Sequence, residues 1–279
     1  MAGMFSSAPT VVGADAELAH AAAQKVVDVH KRLVDFLAVG QTLAQIDAFV
    51  GRTLDELGCK SCFFRYTPER RMPPFPSQAC LSLNDCIVHG TAGYTSQKIA
   101  PGDVLSIDVG VRYKGWIGDA AWTYAFGHAS PEVRKLMAAG RESLTRGIRA
   151  LSPEGTWSDW ARAVQTHVEL EQGLHLVRGL GGHGYGRRLH APPYVSNVLP
   201  TRADEWPDGN RRCRPGTLVA LEPMIAWGTA ATRQADRTWP IFTADGSPSV
   251  HYEHDVLMTP DGPRVLTHGL DDLPDIIER

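Results

Sequence analysis

Cysteine is scarce in this chain: five among 279 residues, an odd number without a repeating spacing. A disulfide scaffold packs more of them into a shorter chain, so this usage fits reduced thiols in a cytosolic compartment. Cys59-Lys-Ser-Cys62 has CxxC spacing, but neither a second CxxC nor a pair of histidines completes a zinc tetrahedron. The two thiols read as half-buried groups at a helix-to-strand junction. No apolar run is long enough to span a bilayer. The opening stretch MAGMFSSAPTVVGADAELAH lacks the basic segment and apolar core of a secretory signal. Charge of one sign is missing too. With 28 basic and 31 acidic side chains the formal charge is −3, which offers nucleic acid or an anionic membrane no general attraction. The basic clusters Arg187-Arg188 and Arg211-Arg212/Arg214 read as solvated loops or ion-pair donors.

What is present is an ordinary globular composition, 43% hydrophobic and 21% charged, on a chain long enough for a sizeable core. Residues 1–14 read as a flexible arm and 15–279 as one domain, with no Pro/Gly/Ser linker to divide it. Helical spacing of apolar residues predicts a helix over about 15–38, and Thr42 caps a second that stops at Gly58. A strand-like stretch follows over 79–88, then a hairpin over 103–126 that turns around Tyr113-Lys114-Gly115. The pattern then repeats. Ser130-Pro131 opens a helix to about Leu151, Gly155-Thr156 leads into another, and strand-like segments occupy 175–185, 193–199, 217–226 and 250–258. Gly40-Gln-Thr-Leu-Ala-Gln-Ile and Gly155-Thr-Trp-Ser-Asp-Trp align with one gap. Helix, helix, strands, twice over, predicts a duplicated unit in a single pseudo-symmetric domain.

Acids stand where strands are otherwise apolar. A turn centred between 113 and 115 puts Asp108 and Asp119 nearly opposite each other on one face of the hairpin. Asp108 lies among Leu105, Ile107 and Val109, where an unpaired carboxylate is costly. Glu222 ends the run Leu218-Val-Ala-Leu221, and Glu253 interrupts Val250-His-Tyr-Glu-His-Asp-Val-Leu-Met258. One such acid is usually a strand-end residue reaching solvent. Four in one chain, with His183 in the glycine-dense Gly181–Gly186, suggest one shared centre. Four carboxylates and a neutral imidazole carry −4, the charge that two divalent cations neutralise. Oxygen-rich ligation with one nitrogen suits Mn, Fe(II), Co or Zn. Two metals that activate a water form a recognised hydrolytic arrangement. The run Gly179-Leu-Gly-Gly-His-Gly184 fits GxGxxG, but Pro192 and Pro193 forbid the helix a dinucleotide site needs.

From about residue 15 to 267 the chain resembles the creatinase/aminopeptidase ("pita-bread") superfamily, most closely the type I methionine aminopeptidases. The matching motifs begin with Cys80-Leu-Ser-Leu-Asn84, Val88-His89-Gly90, Ile107-Asp108-Val-Gly110 and Gly115-Trp-Ile-Gly-Asp119. They continue with Gly182-His183-Gly-Tyr-Gly-Arg187, His190, Leu221-Glu222-Pro-Met224, Trp239 and Tyr252-Glu253-His254. The resemblance implies an α+β fold, a curved and mostly antiparallel sheet backed by two helix pairs. It implies an enzyme that hydrolyses the N-terminal methionine of nascent proteins or peptides with a metal-activated hydroxide. The cofactors would be two divalent ions, Co, Mn, Fe or Zn. Asp108, Asp119, His183, Glu222 and Glu253 match the ligands, with Asp119 and Glu253 bridging. His89 matches the group that meets the scissile amide nitrogen, His190 the group that binds the carbonyl oxygen, and Glu222 the proton shuttle. Cys80, Phe75 and Trp239 match the pocket for the N-terminal side chain. A nascent-chain terminus as substrate, ribosome proximity and a cytoplasmic location follow from the same likeness.

The sequence also departs from the family. After His190 come Ala191-Pro192-Pro193 in place of Glu-Glu-Pro, Ala120 replaces the usual threonine, Leu189 an aromatic residue, and His251 the glutamine two before Glu253. The loop Tyr66–Phe75 is longer than usual and carries Arg70 and Arg71. The segment from His183 to Glu222 is too short for the helical insertion of type II enzymes, and the stretch before His89 too short for the extra N-terminal domain of prolidases. The intact ligand set beside an edited wall leaves an alternative: the same metalloenzyme acting on a specialised small molecule or modified peptide. A non-catalytic peptide platform would be expected to have lost a ligand, and none is lost. His251 and His254 flank Glu253 either as plain strand histidines or as groups that orient the ligand.

Overall fold

Helix starts are set by local chemistry. α1 (Ala14–Phe36) buries Ala19, Ala22, Val26, Val29 and Leu33 along one stripe, the spacing of a 3.6-residue repeat. α2 (Leu43–Glu56) opens on a capping box in which Thr42 and Gln45 satisfy each other's backbone N–H. α3 (Pro131–Ala150) has Ser130 accepting from the Val133 N–H and proline in the first turn. α4 (Trp157–Gln165) passes directly into a π-helical turn, Thr166–Glu171. The computed structural model describes residues 10–68, 72–202 and 204–279. Most of the expected N-terminal arm, residues 1–9, lies outside the described residues, as do Arg70 and Arg71 of the pocket loop.

Each helix pair backs a set of strands. In the first half, Val104–Tyr113 and Trp116–Phe126 form a long antiparallel hairpin, with Cys80–Leu83 paired along its other edge. In the second half, His254–Thr259, Leu218–Leu221, Gly181–Gly184 and Ala191–Ser196 lie side by side in that order, every pair antiparallel. The short C-terminal strand Ile276–Ile277 adds to the first half in parallel. The halves are stitched together at the site. Glu253 donates its N–H to the Ala121 carbonyl at 2.9 Å, and the Asp119 N–H donates to the Asp255 carboxylate at 2.9 Å. This is the expected α+β pita-bread arrangement.

Two details differ from the sequence reading. The hairpin turn has only Lys114 and Gly115 at its centre, both with positive φ (48° and 81°), as a two-residue type I′ turn requires. The register therefore pairs Asp108 with Ala121 and Asp119 with Gly110. The two aspartates are diagonal neighbours on one face rather than opposite each other. The segments expected as single strands over 217–226 and 250–258 are each broken. One strand ends at Leu221 and the next begins at Met224; another ends at His251 and resumes at His254. Glu222 and Glu253 occupy those interruptions.

Glycine lets each helix layer lie against an acid-bearing segment. A Cβ on Gly118, next to Asp119, would sit 2.6 Å from the Ala22 carbonyl oxygen of α1. A Cβ on Gly140 of α3 would sit 2.6 Å from the ring of Tyr252, next to Glu253. Gly140→Ala should therefore destabilise the protein by about 1–3 kcal/mol through overpacking. Gly93→Ala, whose Cβ meets nothing within 4 Å, should stay within about 0.5 kcal/mol. Denaturant unfolding of the two variants beside the parent checks both values; equal midpoints would contradict the close-approach argument.

Candidate metal centre

The four acids and one histidine expected to converge do so. Asp108 and Asp119 reach inward from the hairpin, His183 from Gly181–Gly184, Glu222 and Glu253 from the two strand breaks. His183 Nε2 stands 3.8 Å from Asp119 Oδ2 and 3.7 Å from Glu222 Oε1. His251 Nε2 stands 3.3 Å from Glu222 Oε2 and 3.6 Å from Glu253 Oε2. Two triads have ligand atoms all within 4.8 Å of one another, Asp119–His183–Glu253 and Asp108–His251–Glu253. Glu253 belongs to both.

Electrostatics make this cluster untenable with all its acids ionised and nothing between them. Burial, then the Glu222 charge, pushes the Asp108 carboxyl far above the usual carboxylate range. Burial and the neighbouring Asp108 do the same to Asp119, and burial with the Asp119 charge raises both Glu222 and Glu253. Burial instead pulls His183 and His251 down to about 3, so both imidazoles are neutral at ordinary pH. Asp255, fully buried, is raised by the same desolvation.

Polar atoms are left without partners. Asp108 Oδ1, Asp119 Oδ1 and His251 Nε2 are buried and make no hydrogen bond, a cost of about 1–3 kcal/mol each if nothing completes them. His183 Nδ1 lies 3.1 Å from the Gly184 carbonyl, which fixes the proton on that nitrogen. Its Nε2 lone pair then faces two carboxylates. Such a set of lone pairs aimed at one another fits divalent cations, and oxygen-rich ligation with imidazole suits Mn, Fe(II), Co or Zn.

The remaining expected residues surround this cage unequally. His89, His183, His190, Asp108 and Glu222 line one cavity of about 1020 Å³. His89 is half-buried with φ +58°, a strained value that aims its ring at the site. Burial holds it near 4. Its ring meets that of Trp239 edge-on at 6.1 Å, and Trp239 meets Phe75 edge-on at 5.2 Å. Cys80 is buried and pairs with Asp108 across the strand register. Phe75 and Cys80 share one apolar cluster, with Trp239 packed against it, apart from the residues lining the large cavity.

Other groups carry no sequence signal strong enough to find them. The Tyr66 hydroxyl lies 2.6 Å from His190 Nδ1, a contact between residues 124 apart in the chain. Asp255 reads as one more acid near the last strand, yet it holds the Asp119 backbone. Arg187 and Arg188 border the cavity, and Arg187 stacks over the Trp116 ring at 4.6 Å.

The cage and its fold define a metallohydrolase of the pita-bread class. The profile of metallopeptidase family M24 matches residues 17–260, and the chain belongs to that family. It is 37% identical over 257 residues to methionine aminopeptidase 1 of Mycobacterium tuberculosis (strain CDC 1551 / Oshkosh), covering 90% of this chain and 92% of the relative. It is 33% identical to methionine aminopeptidase of Aquifex aeolicus (strain VF5), covering 88% and 93%. The structure is similar to that of methionine aminopeptidase from Thermotoga maritima, with TM-score 0.84, 28% identity, and coverage of 93% and 99%. Prolidase from Pyrococcus furiosus shares the fold at TM-score 0.71 and 18% identity.

Removal of divalent cations should make stability depend on pH in a defined direction. Carboxyl groups raised in the folded state hold protons that the unfolded chain releases above about pH 4. The folded state then binds more protons, so stability falls as pH rises. Buried neutral histidines oppose this below the ordinary imidazole range, because the unfolded chain protonates them there, so chelator-stripped protein should lose Tm clearly from about pH 7 upward. Added Mn or Co should restore it, with a larger shift at pH 8, where protons compete least. Calorimetric scans across that range test this; a flat profile with no cation effect would count against the centre.

Proposed function

We propose that the chain is a metal-dependent aminopeptidase that removes methionine from the N-terminus of nascent proteins and peptides. The observation that carries the reading is the shared cage, with His89 and His190 on the cavity that opens onto it. Asp108, Asp119, His183, Glu222 and Glu253 would hold two divalent cations. When bound, such ions acidify a water and polarise a peptide carbonyl.

The protein groups supply the rest. Glu222, whose proton affinity is raised by burial, takes the proton of the attacking water and delivers it to the leaving amine. The water oxygen joins the carbonyl carbon, the C–N bond breaks, and the new amine keeps that proton. The Tyr66 hydroxyl lies 2.6 Å from His190 Nδ1; when it donates there, the other ring nitrogen carries the proton. That N–H stabilises the carbonyl oxygen as it gains charge. His89, kept neutral, binds the scissile nitrogen. The wall of Phe75, Cys80 and Trp239 takes the unbranched methionine side chain, and Trp239 ties the pocket loop by donating to the Pro73 carbonyl at 3.0 Å.

A cytoplasmic setting near the ribosome is part of this reading. It is supported by cysteines that are all free, and a nascent terminus is the substrate that such a pocket would meet there. No helix among the described residues is long and apolar enough to cross a membrane.

The decisive assay is release of methionine from Met-Ala-Ser by protein loaded with Co, Mn or Fe. No release with any of them, alongside turnover of a small amine or modified peptide, would replace this reading with the specialised-substrate one. His190→Ala should lower kcat by about 10²–10³-fold, and Tyr66→Phe by roughly tenfold, the loss of one hydrogen bond. His89→Ala should lower turnover with metal content unchanged, whereas Asp119→Asn should lower both. Metal analysis beside steady-state kinetics separates these outcomes.

A further inference from the structure

His251 occupies a place that the five-residue cage does not explain. It ends the strand Ser249–His251 and is 3% exposed. Its backbone is pinned on both sides. The N–H donates to Ser106 Oγ at 3.2 Å and Thr123 Oγ1 at 3.1 Å, and the carbonyl accepts from the Thr123 hydroxyl at 2.8 Å. Both serine and threonine come from the hairpin that carries Asp108 and Asp119. The ring therefore has little freedom, and its Nε2 points between Glu222 and Glu253 at 3.3 and 3.6 Å. Despite that closeness Nε2 makes no hydrogen bond.

The two triads are built alike. Asp119–His183–Glu253 and Asp108–His251–Glu253 each contain an imidazole, an aspartate of the hairpin and the same glutamate. His183 lies on the strand Gly181–Gly184, and His251 ends the strand Ser249–His251. We propose that His251 is a sixth ligand of the metal centre, binding through Nε2 the cation that Asp108 and Glu253 hold, so that each of the two ions has one imidazole. The inference rests on the dinuclear reading above and extends it.

A nitrogen donor on both ions has chemical consequences. The four carboxylates already match the charge of two dications, so a neutral imidazole adds affinity without upsetting that balance. Exchanging an amide or a water for imidazole moves the second ion towards Fe(II), Co and Zn and away from Mn. A group that only steadied Glu222 would instead donate a hydrogen bond to that carboxylate and leave the metal alone.

The test counts imidazoles on the metal rather than turnover. In protein loaded with two equivalents of Co(II), each bound imidazole gives a strongly shifted, exchangeable ring N–H resonance. The proposal expects two such resonances in the parent, one in His251→Gln and one in His183→Gln. Titration of chelator-stripped protein should show the weaker-bound cobalt in His251→Gln losing affinity by at least the roughly 10–100-fold typical of removing an outer partner of a ligand. One resonance in the parent, kept in His251→Gln with unchanged affinity, overturns the proposal even if kcat or its pH profile shifts, because His251 would then be a positioning residue. The parent count decides the matter alone should the variant fail to fold. Parent protein that binds no cobalt at all would instead sink the metal centre itself.

Discussion

Mutual repulsion among buried carboxylates is the constraint around which this molecule is arranged. Asp108, Asp119, Glu222, Glu253 and Asp255 share one interior region, and burial raises the proton affinity of every one of them. A chain selected for stability alone would replace them with apolar residues of similar size. Their persistence at the seam between two half-domains, with two neutral imidazoles directed at them, makes sense only where cations supply the missing charge. Folding and metal binding are then coupled: the cage forms most readily when something positive fills it.

The fold supplies rigidity where that repulsion would otherwise push groups apart. Each half contributes a helix layer that approaches the acids through a glycine, Gly118 under α1 and Gly140 within α3. Strands from the two halves are joined by the Glu253 N–H to the Ala121 carbonyl and by the Asp119 N–H to Asp255. The glutamates sit in breaks between strands, where a side chain can turn towards the seam without twisting a ladder. Glu222-Pro223 and Tyr252-Glu253 are the corresponding breaks of the second half. Duplication thus explains the helices and the layers, and it repeats one acid: Asp108 and Glu222 follow the proline-glycine pairs Pro101-Gly102 and Pro215-Gly216 at the same spacing.

How much of this the sequence reveals depends on the range of the signal. Helix starts are local, and Thr42, Ser130 and Pro131 announce them. The acids are visible because each interrupts an apolar run, an anomaly that needs no partner to be noticed. Register is harder. The hairpin turn could be placed around 113–115, but only φ > 0 at both Lys114 and Gly115 fixes a two-residue loop, and that choice moved Asp119 from Asp108 to Gly110 as cross-strand partner. Contacts between distant segments left no local trace at all. Tyr66 with His190, and Asp255 with the backbone of Asp119, needed the chain to be folded. His251 stood out only as a departure from a related pattern, and its bearing on Glu222 and Glu253 appears once the strand break is seen.

The division between cage and wall bears on how such an enzyme can change its substrate. Every cage residue lies on a strand or in a break between two strands, so a substitution there disturbs the fold as well as the site. Most of the wall is different: Cys80 lies on a strand, but Phe75 and Trp239, like Tyr66 beside His190, lie on connections, and Trp239 is tied by its Nε1 to the Pro73 carbonyl. Of the departures from the family pattern, Ala191 lines the cavity next to His190. Loops tolerate such editing because few buried contacts depend on them. The chemistry of hydrolysis is therefore anchored in the part of the molecule least able to vary, and selectivity for the side chain in the part most able to. Loss of methionine specificity would not require loss of the metal centre, whereas loss of the centre would expose five buried acids to one another and threaten the fold.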